Sequence, residues 1–260
     1  MPDFLEQQAS EFLTTCVENG VRRIELTQPP AHALSRRMIA ALLQAFEDAQ
    51  SDVATQVITL IGPGRIFCAG HDMKEIRAHR NDADDGLAYL TDLFAACAKL
   101  MQTISLSSKP TIAVTEGVAT AGGLQLLASC DIVFAAPGAT FALPGVVNGG
   151  FCTTPSVAVS RRIGRSATLE MSYSGEAFDT DWALRTGLIN RIVPDEDVRA
   201  QAMNFAKNLA ARHMPAVFAG KNALRAHADT SLHEAYAIAT PVMLEHFMDP
   251  HRIAKDKDRW

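Results

Sequence analysis

Residues 109–135 read KPTIAVTEGVATAGGLQLLASCDIVFA, and this stretch alternates between strand and helix patterns. The run PTIAVTEG (110–117) is typical of a buried strand, GGLQLLASC (122–130) of a helix, and DIVFAA (131–136) of a further strand. Strands separated by helices predict a layered parallel sheet. A single amide, Gln125, stands in the apolar run of the helix, one turn past a glycine pair. The stretch therefore predicts the fold class and marks one polar position that needs an explanation.

An earlier stretch, ITLIGPGRIFCAGHDMKE (58–75), has the same design: a buried strand, a glycine-containing loop and a helix start near His71 and Asp72. In open α/β sheets, ligands gather beyond the C-terminal ends of the strands, where helix starts present unpaired N–H groups. Two converging turns of this kind would point two backbone N–H groups at one oxygen, as in an oxyanion hole. The alternative is that both are tight strand–helix connections without a ligand. Neither turn matches a dinucleotide-binding or phosphate-binding glycine loop.

The same rhythm of strands and helices runs from about residue 21 to 145, and the pattern becomes helical after about residue 155. Further predicted strands are VRRIEL (21–26), TQVITLIG (55–62) and ATFALPG (139–145). Predicted helices cover 35–50 with Ser35 as N-cap, 87–104, and then 196–213, 215–229 and 231–248. In the last of these, Ser231 and Glu234 have capping-box spacing, and Pro241 is expected to kink the helix.

Composition limits the classes of function that need to be considered. The 260 residues suit one large domain, or one domain with a small appendage, and the hydrophobic content of 48% is that of a globular protein. A net charge of −5 argues against nucleic acid or an anionic membrane as the main partner. Five cysteines without a CxxC pair indicate neither a disulfide framework nor a zinc ribbon, so we expect no metal and a cytoplasmic location. No apolar run is long enough to cross a membrane.

Three blocks of sequence, in this order along the chain, carry a family resemblance: FCAGHDMKE (67–75), the stretch 109–135 and SGEAFDTDWALRTGLINRIVP (174–194). They resemble the crotonase, or enoyl-CoA hydratase/isomerase, superfamily. The combination GHDMKE, FALPGVVNGGFCTTPSVAVSR and SGEAFD is most similar to the subgroup of enoyl-CoA hydratase domain-containing protein 3. The resemblance implies an α/β fold with a crotonase-type ββα spiral core over residues 1–194. A C-terminal helical region (195–260) would then form trimers, often paired as dimers of trimers, and help to close the site.

The resemblance also implies a chemistry. The substrate would be an acyl-CoA thioester whose oxygen accepts hydrogen bonds from the backbone N–H groups of His71 and Gly122, which stabilise an enolate. Coenzyme A enters only as part of the substrate, and no other cofactor is implied. The positions that would bind the substrate and its CoA portion are Ala33, Leu34, Ala69, Gly70, His71, Asp72, Met73, Lys74 and Gly122.

Two positions depart from the hydratase pattern. Hydratases of this family use two glutamates, and the matching positions here are Gln125 and Gly145, the latter in FALPG. Neither residue exchanges a proton near neutral pH, and each lost acid or base typically costs about 10²–10⁴ in rate. Efficient hydration is therefore doubtful, and reactions that need one base or none, such as isomerisation, thioester hydrolysis or decarboxylation, fit better. Restoring both glutamates is expected to raise hydration, unless the altered loop 148–156 blocks the water site.

Several roles remain open from sequence alone. Gln125 either holds a water or a substrate carbonyl, or is a hydrogen-bonded structural amide. His71 or Asp72 could act as a lone base, while Asp72 is equally suited to cap a helix. Cys152 is either a nucleophile or an inert thiol. A different class of function, a non-catalytic acyl-CoA-binding or assembly protein, fits the same residues.

A small basic cluster formed by Arg161, Arg162 and Arg165 has a similar ambiguity. It could meet CoA phosphates or a neighbouring subunit, or it could belong to a solvated helix face.

Overall fold

A computed structural model describes residues 8–194 and 196–257 of the chain. Its strands are β1 (Gln8–Ala9), β2 (Leu13–Glu18), β3 (Val21–Leu26), β4 (Val57–Gly62), β5 (Ile66–Cys68), β6 (Thr111–Thr115), β7 (Val118–Thr120), β8 (Ile132–Ala135), β9 (Phe141–Ala142), β10 (Ala177–Phe178) and β11 (Arg191–Ile192). Its helices are α1 (Arg36–Ser51), α2 (Met73–His79), α3 (Leu87–Ser105), α4 (Gly122–Ala128), α5 (Thr153–Val159), α6 (Arg165–Ser174), α7 (Thr180–Thr186), α8 (Val198–Ala210), α9 (Met214–His227), α10 (Leu232–Met248) and α11 (Pro250–Lys257). A 3₁₀ helix covers Pro144–Asn148.

The strands form two sheets that the chain visits alternately. The larger sheet has the order β1-β2-β3-β4-β6-β8-β11, antiparallel up to β3 and parallel from there on. The smaller sheet has the order β10-β9-β7-β5, in which β5, β7 and β9 run parallel. In each of the pairs β4–β5, β6–β7 and β8–β9, the first strand joins the larger sheet and the second joins the smaller one, and a helix follows. The result is a spiral of ββα units.

Two hydrophobic clusters cover the two faces of the larger sheet. Along β4, Ile58 and Leu60 join the cluster that includes α1, α3 and α4, while Val57 and Ile61 join the cluster that includes α8. All residues of β4 are buried. This explains why its sequence is a continuous apolar run, since a strand covered on both faces has no solvent-facing positions.

Most of the predicted elements are confirmed. The strand at 21–26 matches β3, and Ser35 caps α1 by accepting a hydrogen bond from the Met38 backbone N–H at 3.0 Å. The prediction of a strand over 139–145 is right only for Phe141–Ala142, because Pro144 begins the 3₁₀ helix. Six strands were not predicted. Strands β1, β5, β7, β10 and β11 are runs of two or three residues, too short to show periodicity, whereas β2 has six residues.

The three helices predicted near the C-terminus are confirmed as α8, α9 and α10. Ser231 and Glu234 form the expected capping box, and Pro241 lies inside α10. Helix α8 packs on the larger sheet through Val198, Ala202 and Ala206. Although α8 belongs to the predicted C-terminal region, it covers a face of the core sheet. The division of the chain into residues 1–194 and 195–260 stays a prediction.

The two strand–helix turns that the sequence singled out meet backbone to backbone. A β-carbon at Gly70 would lie 3.0 Å from the Gly122 backbone nitrogen and 3.2 Å from the β-carbon of Ala121. A β-carbon at Gly123 would overlap the carbonyl group of Cys68. Only glycine allows the end of β5 and the start of α4 to approach so closely. This contact places the two turns side by side.

Substitution of Gly123 by alanine tests this contact. We expect Gly123→Ala to lower the free energy of unfolding by at least ~2 kcal/mol, because the added methyl overlaps backbone that cannot rotate away. The measurement is urea unfolding followed by circular dichroism. The matched control is Gly138→Ala, where no heavy atom lies within 4 Å of the added carbon, and we expect a change within about 0.5 kcal/mol. Equal stability of the two variants would show that the turns do not touch as described.

Candidate functional site

Residues 31–34 run beside the loop that follows β5, and Leu34 forms an isolated parallel bridge with His71. The Ala69 N–H donates to the Ala31 carbonyl at 2.9 Å, and the Leu34 N–H donates to the Gly70 carbonyl at 2.8 Å. The Asp72 N–H in turn donates to the Leu34 carbonyl at 3.3 Å. These hydrogen bonds hold the loop that follows β5 against residues 31–34. The Leu34 side chain is fully buried, so only its backbone takes part in these hydrogen bonds.

Asp72 is engaged in local structure. Its Oδ1 accepts hydrogen bonds from the backbone N–H groups of Lys74 (2.8 Å) and Glu75 (3.4 Å), so it is the N-cap of α2. Glu75 then ties α2 to its neighbours, since its Oε2 accepts from the Arg36 N–H at 3.1 Å and the Tyr89 hydroxyl at 2.8 Å. Both acids that follow His71 are therefore engaged in hydrogen bonds that start or anchor α2.

A cleft of about 610 Å³ opens between this loop and the segment 28–37. Its lining contains six of the predicted binding positions, namely Ala33, Ala69, His71, Asp72, Met73 and Lys74. Lys74 and Arg77 form no ion pair with any residue that the structure describes. The cleft thus has two available cations at its edge.

The cleft also has lining residues that sequence reasoning missed. These are Glu11, Phe12, Gln28, Pro29, Pro30, Ala31, Ser35, Glu75, Arg37 and Arg77. The Pro29-Pro30 pair is the one local signal that could have marked this wall, because adjacent prolines indicate a rigid turn.

The backbone N–H groups of His71 and Gly122 lie on the two turns that touch. Neither donates a hydrogen bond to any residue within 8–194 or 196–257. Gly122 is the first residue of α4, where a helix leaves its N–H unpaired. Ala121, just before it, has φ +50°, a left-handed conformation that costs about 1–3 kcal/mol for a residue with a side chain. Backbone strain therefore lies next to these two donors.

The His71 imidazole packs over the start of α4. Its Cε1 and Nδ1 lie 3.3 and 3.4 Å from the position that a β-carbon of Gly122 would occupy. The ring also meets the edge of Phe94, with centroids 5.1 Å apart. Nε2 is buried and has no hydrogen-bond partner among the described residues, and burial lowers the pKa of His71 below its usual value. The ring is therefore neutral at neutral pH and has a free nitrogen.

Gln125 lies on the same helix, three residues after Gly122. It is 4% exposed, and its Oε1 is buried without a hydrogen-bond partner in the part of the chain that the structure describes. A buried polar atom left unpaired costs about 1–3 kcal/mol. The interpretation of Gln125 as a hydrogen-bonded structural amide receives no support from these contacts.

Gly145 lies in the 3₁₀ helix, and backbone fills the space beside it. A β-carbon there would lie 2.5 Å from the Cys152 backbone nitrogen and 2.7 Å from the Phe151 carbonyl carbon. The turn is closed by a hydrogen bond from the Gly150 N–H to the Gly145 carbonyl at 2.9 Å. The expectation that glutamates at 125 and 145 would restore hydration therefore needs correction. The loop occupies the place that a side chain at 145 requires.

Cys152 belongs to this filling loop. Burial raises the pKa of its thiol, although the Gly145 backbone partly offsets this, so the sulfur is protonated near neutral pH. A protonated thiol is a poor nucleophile, which favours the interpretation of Cys152 as an inert thiol.

The basic cluster separates into different environments. The Arg162 guanidinium donates to the backbone carbonyls of Leu188 and Cys130 and, at 3.0 Å, to Asn190 Oδ1. Arg162 is therefore a structural clamp between α5 and the start of β11. Arg161 and Arg165 are exposed.

The described residues contain neither a metal-binding cluster nor a membrane-spanning helix. No group of three or more His, Cys, Asp or Glu side chains in residues 8–194 and 196–257 is arranged to hold a metal ion. No helix within these ranges is both long and apolar enough to cross a membrane.

Comparison with known proteins gives the family. Residues 17–257 match the family model for enoyl-CoA hydratase/isomerase. The chain belongs to the enoyl-CoA hydratase/isomerase family. Among the curated members of this family, the mitochondrial enoyl-CoA hydratase domain-containing protein 3 of Xenopus laevis is 37% identical over 229 residues, 88% of this chain and 76% of that protein.

Solved structures of family members agree in fold. An enoyl-CoA hydratase/isomerase family protein from Silicibacter pomeroyi is 52% identical, with a TM-score of 0.87 over 92% of this chain and 99% of that one. Human enoyl-CoA hydratase domain-containing protein 3 is 32% identical, with a TM-score of 0.86 over 92% and 93%. The predicted α/β crotonase fold and the resemblance to this subgroup are confirmed. The Xenopus relative is named as mitochondrial, and the cytoplasmic location expected from the cysteines stays a prediction.

The filled space at Gly145 predicts that the hydratase pattern cannot be restored by two substitutions. We expect the double variant Gln125→Glu/Gly145→Glu to hydrate crotonyl-CoA no faster than the single variant Gln125→Glu, because the second carboxylate cannot reach the site while the loop holds its place. Loss of the enoyl thioester absorbance measures the rate of hydration. The melting temperature measures how far the substitution at Gly145 destabilises the fold. Gly145→Ala is the control, since it adds the same β-carbon without an acid and should lower the melting temperature as well. A large gain in hydration over Gln125→Glu at an unchanged melting temperature would contradict the prediction.

Proposed function

We propose that this protein binds an acyl-CoA thioester and stabilises its enolate through the backbone N–H groups of His71 and Gly122. The observation that carries the proposal is that these two donors lie on turns in direct contact and have no acceptor among the described residues. A fixed pair of donors stabilises charge as it develops on a carbonyl oxygen, and removal of one such donor typically costs about 10²–10³ in rate. Family membership supports an acyl-CoA thioester as the group that supplies this oxygen.

The cleft supports the proposed position of the CoA portion. Its volume of about 610 Å³ continues from His71 along Ala33 and Ala69 to Lys74 and Arg77. In the proposed complex the acyl end lies at His71 and Gly122, and the phosphates lie near the two cations. Leu34 and Gly70 then act through the backbone that shapes the wall, because both residues are buried.

The reaction that we propose does not use the two-glutamate mechanism. The family positions hold Gln125 and Gly145, and backbone fills the space at Gly145. Asp72 is engaged as a helix cap, so the neutral His71 imidazole is the base nearest to the two donors. Isomerisation or thioester hydrolysis, which need one base, fit this arrangement.

A non-catalytic acyl-CoA-binding or assembly protein is the second candidate. The replacement of both glutamates and the filled space at Gly145 favour it, since the donors for binding remain while the two glutamates that transfer protons in hydratases do not.

We also propose that the chain acts as a homotrimer or a dimer of trimers. Helix α10 has no buried residue in the single chain. Its exposed apolar side chains are Leu232, Tyr236, Met243, Leu244, Phe247 and Met248. A patch of this kind is typical of a surface covered by another subunit.

The donor pair is tested by the carbonyl stretch of bound butyryl-CoA carrying a ¹³C label at the thioester carbon. We expect the stretch to move to lower frequency than in water, because two N–H groups polarise the carbonyl. Gly122→Pro removes one donor at the first helical position, where proline is tolerated, and should reduce the shift. Gly122→Ala keeps the N–H while adding the β-carbon, and should retain the shift. A bound ester with an unshifted carbonyl would contradict the proposal.

Turnover separates the two candidate functions. We expect hydration of crotonyl-CoA to be at least ~10²-fold slower than in a family member with both glutamates, from the loss of acid and base groups. A panel of enoyl-, 3-hydroxyacyl- and saturated acyl-CoA esters should contain at least one that is isomerised or hydrolysed. Saturable binding without product from any ester would favour the non-catalytic candidate, and hydration at the relative's rate would overturn our interpretation of Gln125 and Gly145.

A further inference from the structure

The Gln125 side chain is a buried amide without a structural task. Helix α4 consists otherwise of Gly, Leu and Ala, so Gln125 is its one polar side chain. It is 4% exposed, and its Oε1 has no partner among the residues described. Buried polar groups are almost always hydrogen-bonded in native proteins. An amide held in this state is suited to a ligand that supplies the missing bond.

His71 has a second unpaired atom close by. Its Nε2 is buried without a partner in the described ranges, and its ring packs on Gly122, less than one turn of helix before Gln125. Three residues of helix advance about 4.5 Å along the axis, so both side chains border the start of α4. A neutral imidazole offers one donor and one acceptor, and a primary amide offers both as well.

The helix that carries Gln125 and the loop beside Gly145 contain no charged residue that would favour an ionised ligand. Helix α4 and the residues from Pro144 to Thr153 contain no Asp, Glu, Lys or Arg. The Asp72 carboxylate is bonded to the backbone of α2, and burial keeps the Cys152 thiol protonated by raising its pKa. A carboxylate on the acyl group would meet no cation here, and burying an unpaired charge is costly.

We propose that Gln125 and His71 together bind a neutral oxygen substituent, a hydroxyl or a ketone, on the acyl chain close to the thioester. This inference rests on the proposed function, because the two N–H donors orient the thioester and so set which carbons reach Gln125. A hydroxyl both donates and accepts, and a ketone accepts, so either is matched by an amide and a neutral imidazole. Gln125 thereby becomes a determinant of specificity at the position where hydratases of the family have an acid.

The test compares four CoA esters by calorimetry with the full-length protein: butyryl-, 3-hydroxybutyryl-, acetoacetyl- and malonyl-CoA. We expect the hydroxy or the oxo ester to bind at least about 10-fold more tightly than butyryl-CoA, since two net hydrogen bonds together amount to roughly one factor of ten. The two esters distinguish a hydroxyl from a ketone as the preferred group. Malonyl-CoA should bind no more tightly than butyryl-CoA.

Two variants assign the preference to the named side chains. Gln125→Met keeps the length of the side chain without the amide, and His71→Phe keeps the ring without its nitrogens. Each should reduce the ratio of affinities between the oxygenated ester and butyryl-CoA to below about 3-fold. Gln102→Met makes the same substitution at an exposed position of α3 and should leave the ratio unchanged.

Equal binding of butyryl-CoA and both oxygenated esters to the wild-type protein would overturn the inference, as would a preference that persists in both variants or a preference for malonyl-CoA. If Gln125→Met does not fold, the inference is tested by the ratio of affinities in the wild-type protein and in His71→Phe. Butyryl-CoA that binds with a shifted carbonyl but without a preference for oxygen would leave the proposed function intact and end this inference alone. Failure of every ester to bind would overturn both.

Discussion

The contact between the end of β5 and the start of α4 determines how the site is built. At this point the Gly70 backbone lies against the Gly122 nitrogen, and Gly123 lies against the Cys68 carbonyl, with no room for a side chain at either glycine. Two ββα units of the spiral are joined here without an intervening layer of side chains. Because the contact is made by backbone, it fixes the direction of two N–H groups more rigidly than side chains could. The side chains of His71 and Gln125 lie on the two elements that form this contact.

The neighbourhood of these donors is arranged for binding rather than for exchange of protons. Asp72 is used to start α2, Glu75 holds α2 against α1 and α3, and Cys152 remains a thiol. The loop through Phe151 occupies the space beside Gly145. What remains near the donors is an unpaired amide and a neutral imidazole. In the function that we propose, the site keeps the two backbone donors and has uncharged residues, Gln125 and Gly145, at the positions of the family's glutamates.

Among the described residues, five buried side-chain nitrogen or oxygen atoms have no hydrogen-bond partner: Arg22 Nε, His32 Nε2, His71 Nε2, Gln125 Oε1 and His246 Nε2. Other buried polar groups are paired. The Lys109 ammonium, for example, donates to the carbonyls of Ala49 (2.8 Å) and Asp52 (2.6 Å). Asp131 accepts from the backbone and hydroxyl of Thr111 and from Lys221. Gln125 Oε1 and His71 Nε2 are two of the five unpaired atoms, and they lie on adjoining elements. Exceptions of this kind are expected where a ligand completes the hydrogen bonding.

The sequence by itself determined the larger elements, because each of them has a local cause. Neighbouring residues alone predict the apolar strand β4, the Ser35 cap of α1 and the Ser231–Glu234 capping box of α10. It also marked the two turns, since glycine after a buried strand limits what can follow. Tertiary structure alone decided three further features: the filled space at Gly145, the absence of a partner for Gln125 Oε1 within residues 8–194 and 196–257, and the wall of the cleft from residues 28–37. Each of these depends on atoms brought together from distant parts of the chain or across a turn, and no local pattern of residues encodes that distance.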